Sequence, residues 1–402
     1  MLAVLVLVLS LSLITFGAVP PTSARLLVVL WLFAAALGCA LRVVKRSRLE
    51  LSFIILVVAA SVVSLLLPPK PAITLIAAVW AWAATSTSSD LRLVRFFRIL
   101  VVIGVLEALL GLFQFFVSPG WIFGYVNPFY PTTGTLINPN HFAGLIEMLT
   151  PAAFGLAYIG YCRDRDLSRT YLYLLAIGLM GLAVVFSLAR MGLFSLLATL
   201  CFLAVVLRYC GAHRKIGIAL AVGAVALLAA GALWIGVDAI VQRYSALTGE
   251  DALFREGRLV VYGDAVRMIR EHPFGVGVGN FQDVYRKYQT YRPDLLYDHA
   301  HNDYLEFAAE WGLPLAMAFW SLVLFVVVRN VRLLAIATSP EHRGILLACS
   351  GGIFSLLLHS MTDFNLQIPS NAMLFFALIG ISLGMNSDRV RSFNSLAKNA
   401  NR

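Results

Sequence analysis

The chain has 402 residues, of which 60% are hydrophobic and only 13% are charged. A soluble globular protein carries roughly 25% charged residues, so this composition excludes an ordinary soluble enzyme and indicates a membrane protein. The net charge of +10 does not predict nucleic-acid binding, because the cytoplasmic loops of membrane proteins collect Lys and Arg.

Apolar segments long enough to cross a membrane recur along the chain, since a helix needs about 20 apolar residues to span the hydrocarbon core. The first segment has no basic region and no cleavage site, so we interpret it as a membrane helix and not as a removed signal peptide. The predicted fold is an all-α polytopic membrane protein of about twelve transmembrane helices. Their spans are 2–19, 24–43, 50–67, 71–87, 97–117, 141–160, 171–187, 191–208, 216–236, 312–328, 344–360 and 370–386.

The basic residues predict the orientation of these helices. If the N-terminus is cytoplasmic, the short outer connections hold only Arg25, Lys70 and Arg190, whereas every inner connection is basic. This places both termini in the cytoplasm. It divides the chain into membrane helices one to nine (1–236), an extracytoplasmic loop with short helices (237–311), helices ten to twelve (312–386) and a cytoplasmic tail (387–402).

The outer face is the predicted place of any chemistry, because the inner loops are short and basic and leave no room for a catalytic domain. Residues 118–140 are uncharged and rich in Gly, Pro and aromatic residues, which indicates a lid or re-entrant loop at the membrane interface. The glycines between Gly275 and Gly279 have no preceding strand and predict a tight turn with close backbone packing.

Two histidines, His299 and His301, lie among carboxylates just before the tenth span, where Asn302 or Asp298 could cap a helix. A neutral histidine oriented by a carboxylate can act as a general base. The alternative is that both are ordinary loop residues. The spacing His-X-His with no clear third ligand does not predict a zinc site, so we predict no metal and no cofactor.

Three arginines on the outer side are candidate ligands for an anion such as a lipid diphosphate, which guanidinium groups bind in a bidentate way. Arg190 lies in a sharp connection between two spans, and the alternative is that it extends to the headgroups. Arg255 and Arg258 begin an amphipathic helix, and the alternative there is a solvated ion pair with Glu256 or Asp251.

Further polar residues lie near the outer ends of apolar spans, where polar groups usually face each other or a cavity. A cavity open to the outside would collect them all. They are Asn138, Asn140, His141, Glu147, His359 and Asp363, with Glu107 and Gln114 in the fifth span.

Four segments, in this order, resemble the bacterial O-antigen ligase and O-antigen polymerase superfamily. They are Gly134–Phe142, Ser187–Gly192, Arg258–Phe281 and His301–Leu315. The first 120 residues resemble that family only as apolar helices.

The resemblance implies a metal-independent membrane glycosyltransferase that moves a glycan from a polyprenyl-diphosphate-linked donor to an acceptor hydroxyl, on a glycan or lipid carrier, at the periplasmic face of a bacterial inner membrane. The family pattern carries the general base onto His301 and the diphosphate ligands onto Arg190 and Arg258, with Arg255 as a rival. Asn302, Asp303, Asn140, His141 and His359 are candidate supporting residues. Attack opposite the leaving group would invert the anomeric centre.

Several alternatives stay open. Nothing in the sequence separates a polymerase from a ligase, and partners in polysaccharide assembly and the surrounding membrane lipid are expected but not identified. A membrane transporter of a small anion or solute is the second hypothesis, although such proteins often contain inverted repeats, which this sequence does not show. A scaffold for an envelope complex is the third, and it leaves the outer Arg and His residues without a role.

Overall fold

A computed structural model describes residues 9, 10, 13, 90–210, 248–292, 294–387 and 390, without the side chains of residues 164 and 248–256. The helices in these ranges are α1 Asp90–Phe116, α2 Pro139–Ile159, α3 Leu167–Ser187, α4 Arg190–Tyr209, α5 Thr248–Glu271, α6 Phe281–Tyr285, α7 Asp303–Trp311, α8 Leu313–Ile336, α9 Pro340–His359 and α10 Pro369–Gly384. Two short strands, β1 Trp121–Ile122 and β2 Tyr125–Val126, pair antiparallel. A π-helical turn, Gly160–Asp164, follows α2, and a 3₁₀ turn, Asn365–Gln367, precedes α10.

Every predicted span that falls on described residues is helical, with ends that differ by a few residues, except that α1 begins well before residue 97 and α8 continues well beyond residue 328. Within the described ranges, five helices are long and apolar enough to cross a membrane, namely α1, α2 with its π-helical turn, α3, α4 and α8. The chain is therefore a multi-pass membrane protein. The predicted spans 2–19, 24–43, 50–67, 71–87 and 216–236 lie wholly or almost wholly outside the described residues, and the total of twelve stays a prediction.

Helix α2 is the centre of the helical bundle, because almost every one of its side chains is buried. Its closest neighbour is α9, and the two helices approach so tightly that a Cβ atom on Gly344 would lie 2.6 Å from the carbonyl oxygen of Gly155. Small residues allow such close helix contact in membranes, where van der Waals packing replaces the hydrophobic driving force. This contact sets the spacing of the two helices that carry His141 and His359.

Local sequence signals mark the residues at which α2, α4 and α7 begin. Asn138 caps α2 by accepting a hydrogen bond from the N–H of Asn140, and Pro139 occupies the first helical turn. Asn302, one of the two predicted capping residues, accepts from the N–H of Leu305 and begins α7. The connection between α3 and α4 is only two residues long, with Leu188 in the left-handed region at φ 60°, so Arg190 begins its helix at once.

Substituting Gly344 should destabilise the bundle. We expect Gly344→Ala to lower the free energy of unfolding by about 1–3 kcal/mol, because the added methyl overpacks the α2–α9 contact. Thermal unfolding of the purified protein in detergent measures this. The matched control is Gly263→Ala, since a Cβ atom there would meet nothing within 4 Å and alanine favours a helix by about 0.5–1 kcal/mol. Equal melting temperatures for the two variants would contradict the packing argument.

Candidate active site

A fully buried carboxylate, Asp363, lies between two histidines at the end of the bundle where α9 ends. Its Oδ1 atom is 3.6 Å from Nε2 of His141 and 3.8 Å from Nδ1 of His301. These distances are longer than hydrogen bonds, so the interactions are mainly those of charge. The same oxygen accepts a 2.8 Å hydrogen bond from the N–H of Phe364. Burial opposes ionisation of Asp363, but its favourable interactions with His141 and His301 outweigh burial and hold its pKa well below the usual range.

The ring of Phe364 is shared by three histidines. His299 stacks on it with ring centroids 4.1 Å apart, whereas His141 and His301 meet it edge-on at 4.7 and 5.0 Å. His299 is itself fixed by Glu306, whose carboxylate lies 2.6 Å from Nδ1 and also accepts the N–H of Ala300. The buried His299 is therefore a packing residue of this cluster, while His301 keeps 26% of its side chain exposed.

His301 has an unusual backbone conformation for a residue with a side chain, at φ 49°. Such a conformation costs of order 1–3 kcal/mol and persists only where neighbouring structure enforces it. Here the Tyr262 hydroxyl on α5 donates to the His301 carbonyl at 2.8 Å, and the Asn302 amide donates to the carbonyl of Met361 at 2.9 Å. Two separate segments therefore hold the imidazole beside Asp363.

Asp303, a candidate supporting residue, is fully buried at the start of α7. Its Oδ2 accepts from the Ser360 hydroxyl at 2.8 Å and from the N–H of Leu366 at 3.3 Å. Burial raises the pKa of Asp303 well above its usual range, and the charge of Glu306 adds to this against the opposing Ser360 hydrogen bond. The residue connects α7 to the segment after α9, and this contact accounts for its place in the site.

The predicted arginines lie on two different elements. Arg190 is the exposed first residue of α4. Arg258 on α5 is half-buried and donates to the carbonyl of Thr362 at 3.1 Å, in the turn just after α9. Arg255 lies in the part of α5 whose side chains are not described. Arg258 is thus connected to the turn that precedes Asp363.

His359, the last residue of α9, is paired with Glu147 on α2. Its Nδ1 is 3.0 Å from the Glu147 carboxylate, and both side chains are completely buried. Asn140 contributes its backbone N–H to the cap of α2.

Glu107 and Gln114 do not join the predicted common cavity, and that expectation is wrong for them. Glu107 accepts from the N–H and hydroxyl of Thr135 at 3.0 and 2.7 Å. Gln114 accepts from two backbone N–H groups and donates to two carbonyls of the segment 121–134. One face of α1 therefore anchors the uncharged loop after it, because the short strands β1 and β2 satisfy only part of the loop's backbone groups.

The glycine-rich segment serves packing, as predicted. The N–H groups of Val276 and Gly277 donate to the carbonyls of Ala309 and Glu310 at the end of α7. Gly275 and Gly312 both have φ above 80°, and their backbones approach so closely that a side chain at either position would clash. The segment holds α7 in place.

Comparison with protein families decides between the interpretations of this sequence. The family model described as O-antigen ligase matches residues 175–320. Residues 175–320 are therefore similar to the O-antigen ligase family. The match confirms the resemblance seen in the motifs, and it includes Arg190, Arg258 and His301. It supports a role in surface-polysaccharide ligation or polymerisation in general terms, and Asp363 and His359 lie beyond the matched range.

Other comparisons add little. No curated protein matches the chain. A chain from the solved structure described as "Structural coordination of polymerization and crosslinking by a peptidoglycan synthase complex" is similar at 17% identity, with a TM-score of 0.43, over 84% of this chain and 97% of that one. A likeness of this degree carries no argument about function.

Sequence reasoning left two residues out of the predicted site, Asp363 and Phe364. Asp363 was visible as a polar residue at the outer end of the eleventh span, but its sequence neighbours do not include either histidine. An acidic residue beside an apolar span was the available signal, since such groups need partners. The partners come from α2 and from the segment before α7, and only the fold brings them together.

The raised pKa of Asp303 predicts a pH-dependent stability. The folded protein keeps the Asp303 proton at pH values where the unfolded chain, with a pKa of about 4, has lost it. Stability therefore falls as pH rises above about 4. We expect Asp303→Asn, which does not ionise, to gain melting temperature relative to the wild type between roughly pH 5 and pH 8.

Melting curves of the wild type and the variant, recorded in detergent at about pH 5 and about pH 8, measure this gain. The matched control is Asp298→Asn, because the Asp298 side chain is 55% exposed and its replacement should give no pH-dependent difference. A difference between Asp303→Asn and the wild type that does not change with pH would contradict a buried, protonated Asp303.

Proposed function

We propose that the protein transfers a glycan from a polyprenyl-diphosphate-linked donor to an acceptor hydroxyl, on the periplasmic face of a bacterial cytoplasmic membrane. The observation that carries the proposal is the arrangement of His301, partly exposed and in a strained backbone conformation, beside the buried carboxylate of Asp363. A histidine oriented in this way is suited to remove a proton from a hydroxyl.

The geometry supports specific roles for the two ring nitrogens of His301. Nδ1 is buried and faces Asp363, which favours a proton on Nδ1 as the partner of the carboxylate. Nε2 then carries the lone pair that accepts the proton of the acceptor hydroxyl. Asp363 is a positioning residue in this scheme, since it orients the ring and stabilises the imidazolium that forms.

The leaving group in this reaction is a polyprenyl diphosphate, which gains negative charge as the bond to the sugar breaks. Fixed cations stabilise such charge without a metal. Arg190 and Arg258 supply them in our proposal, with Arg255 as an alternative to Arg258. The acceptor oxygen attacks the anomeric carbon from the side opposite the diphosphate, so the product should have the inverted configuration.

Both ligation to a surface acceptor and polymerisation of repeat units are consistent with this chemistry. The transporter hypothesis receives no support from the family match, whereas the histidine–carboxylate cluster supports transfer to a hydroxyl. Cytoplasmic termini and a periplasmic site remain part of the proposal and follow from the distribution of basic residues.

Reconstitution tests the proposal directly. Purified protein is incubated with a polyprenyl-diphosphate oligosaccharide and candidate acceptors, and glycan transfer is measured with release of the polyprenyl diphosphate. We expect His301→Ala to reduce kcat by about 10²–10⁴-fold, the usual contribution of a general base. We expect Arg190→Ala and Arg258→Ala to lose transfer as well. A ladder of products would indicate a polymerase and a single shifted product a ligase.

The matched control is His272→Ala, because His272 is an exposed histidine in the same extracytoplasmic region and should keep wild-type turnover. The melting temperature of every variant is measured, and each turnover number is corrected for the fraction of protein that is folded at the assay temperature. Full activity in His301→Ala would remove the general-base role. No turnover by the wild type with any donor would sink the proposal, and solute flux in proteoliposomes would then become the next measurement.

A further inference from the structure

The pair of Glu147 and His359 has no role in the chemistry described so far, yet its burial is costly in free energy. Both side chains are fully buried, and among the described residues Oε2 of Glu147 and Nε2 of His359 have no hydrogen-bond partner. A buried polar atom without a partner costs roughly 1–3 kcal/mol. Two such atoms in one pair point to a partner that arrives from outside the chain.

Proton counting shows which kind of partner His359 can take. A buried pair with no net charge is far less costly than one with a net charge. The uncharged pair holds two protons, one in the 3.0 Å contact between Nδ1 and Oε1 and a second on either Nε2 of His359 or Oε2 of Glu147. A ligand that accepts a hydrogen bond, such as an anion, selects the form with the second proton on Nε2. In that form Nε2 is a hydrogen-bond donor whose missing partner is an acceptor.

His359 lies close to the elements that carry both proposed diphosphate ligands. A Cβ atom on Gly192, in the first turn of α4, would lie 3.6 Å from Cε1 of His359, the ring carbon between Nδ1 and Nε2. Arg190 begins that same turn, and Ala189 before it gives the helix no side-chain cap. On the other side, Arg258 donates to the carbonyl of Thr362, whose own N–H donates to the carbonyl of His359 at 3.0 Å.

We propose that His359, held by Glu147, is a diphosphate-binding residue of the donor site, and that its Nε2–H donates to a phosphate oxygen between Arg190 and Arg258. The proposal rests on the proposed glycan transfer and adds to it a ligand from α9. Helix N-termini bind anions through their free N–H groups, so the first turn of α4 and the His359 donor form two sides of one anion site. Glu147 is a positioning residue, because it acts only through the ring of His359.

Binding of farnesyl diphosphate, a soluble isoprenyl diphosphate, tests this without any turnover. The ligand is titrated into purified full-length protein in detergent, and the Kd is measured by calorimetry. We expect His359→Phe, which keeps a ring but has no donor, to weaken binding by about tenfold to a hundredfold. His359→Gln places an amide N–H near the position of Nε2 and should stay within a few-fold of wild type. A purely structural role would affect both variants alike.

The matched control lies at the opposite end of the same helix. His342 is also buried and forms a 2.7 Å contact with a carboxylate, that of Asp90. His342→Phe removes an equivalent pair and should leave the Kd unchanged. Melting temperatures are recorded for every variant, and the donor KM in the transfer assay is expected to follow the Kd.

Three results would overturn the inference. They are an unchanged Kd in His359→Phe, an equal loss in His359→Phe and His359→Gln, and an equal loss in His342→Phe. If the wild type transfers glycan and His301→Ala does not, any of these results removes His359 from the donor site and leaves the proposed function standing. Failure of the wild type to bind farnesyl diphosphate also overturns the inference, whereas the transfer assay decides the proposed function by itself.

Discussion

Polar groups at the edge of a hydrocarbon core must find partners within the protein. This requirement determines which residues surround Asp363. Asp363 is buried, and a carboxylate in such a place is stable only where cations, dipoles or hydrogen bonds surround it. The histidines of two separate segments and the N–H of Phe364 provide this surrounding. Helix α2, the segment before α7 and the turn after α9 therefore meet at this one side chain.

The outer polar residues then fall into three groups with different tasks. Glu107 and Gln114 satisfy the backbone of an irregular loop. Asp363 and its histidines form the cluster that contains the proposed general base, and Glu147 and His359 form a separate buried pair. Each group solves the same physical problem, because a polar atom without water must find a partner in the chain or in a ligand. Only the last two groups leave atoms with no partner among the described residues, and these are the groups to which we assign chemistry.

Close backbone packing next to the site holds the helices that carry these groups at fixed distances. The close backbone contact between Gly155 and Gly344 sets the spacing of α2 and α9, and the backbone contacts of Gly275 and Gly312 fix the end of α7. A reactive histidine must be held to within a fraction of an ångström to act on a hydroxyl. Glycines that contribute no side chain therefore contribute to function by permitting short distances between the elements that carry it.

The sequence alone determined the mostly helical membrane architecture of the described residues, the helix positions to within a few residues in most cases, and the resemblance to the O-antigen ligase family. Apolar length and the distribution of basic residues are local properties, and so are a cap such as Asn302 and the motifs around His301. The residues themselves made His301, Arg190 and Arg258 candidates, and the family resemblance then selected His301 over His299 as the general base. Tertiary structure alone decided which polar residues meet. Asp363 lies 62 positions from His301 and 222 from His141, and no periodicity in the chain predicts that contact, because it depends on how α2, α7 and α9 pack together.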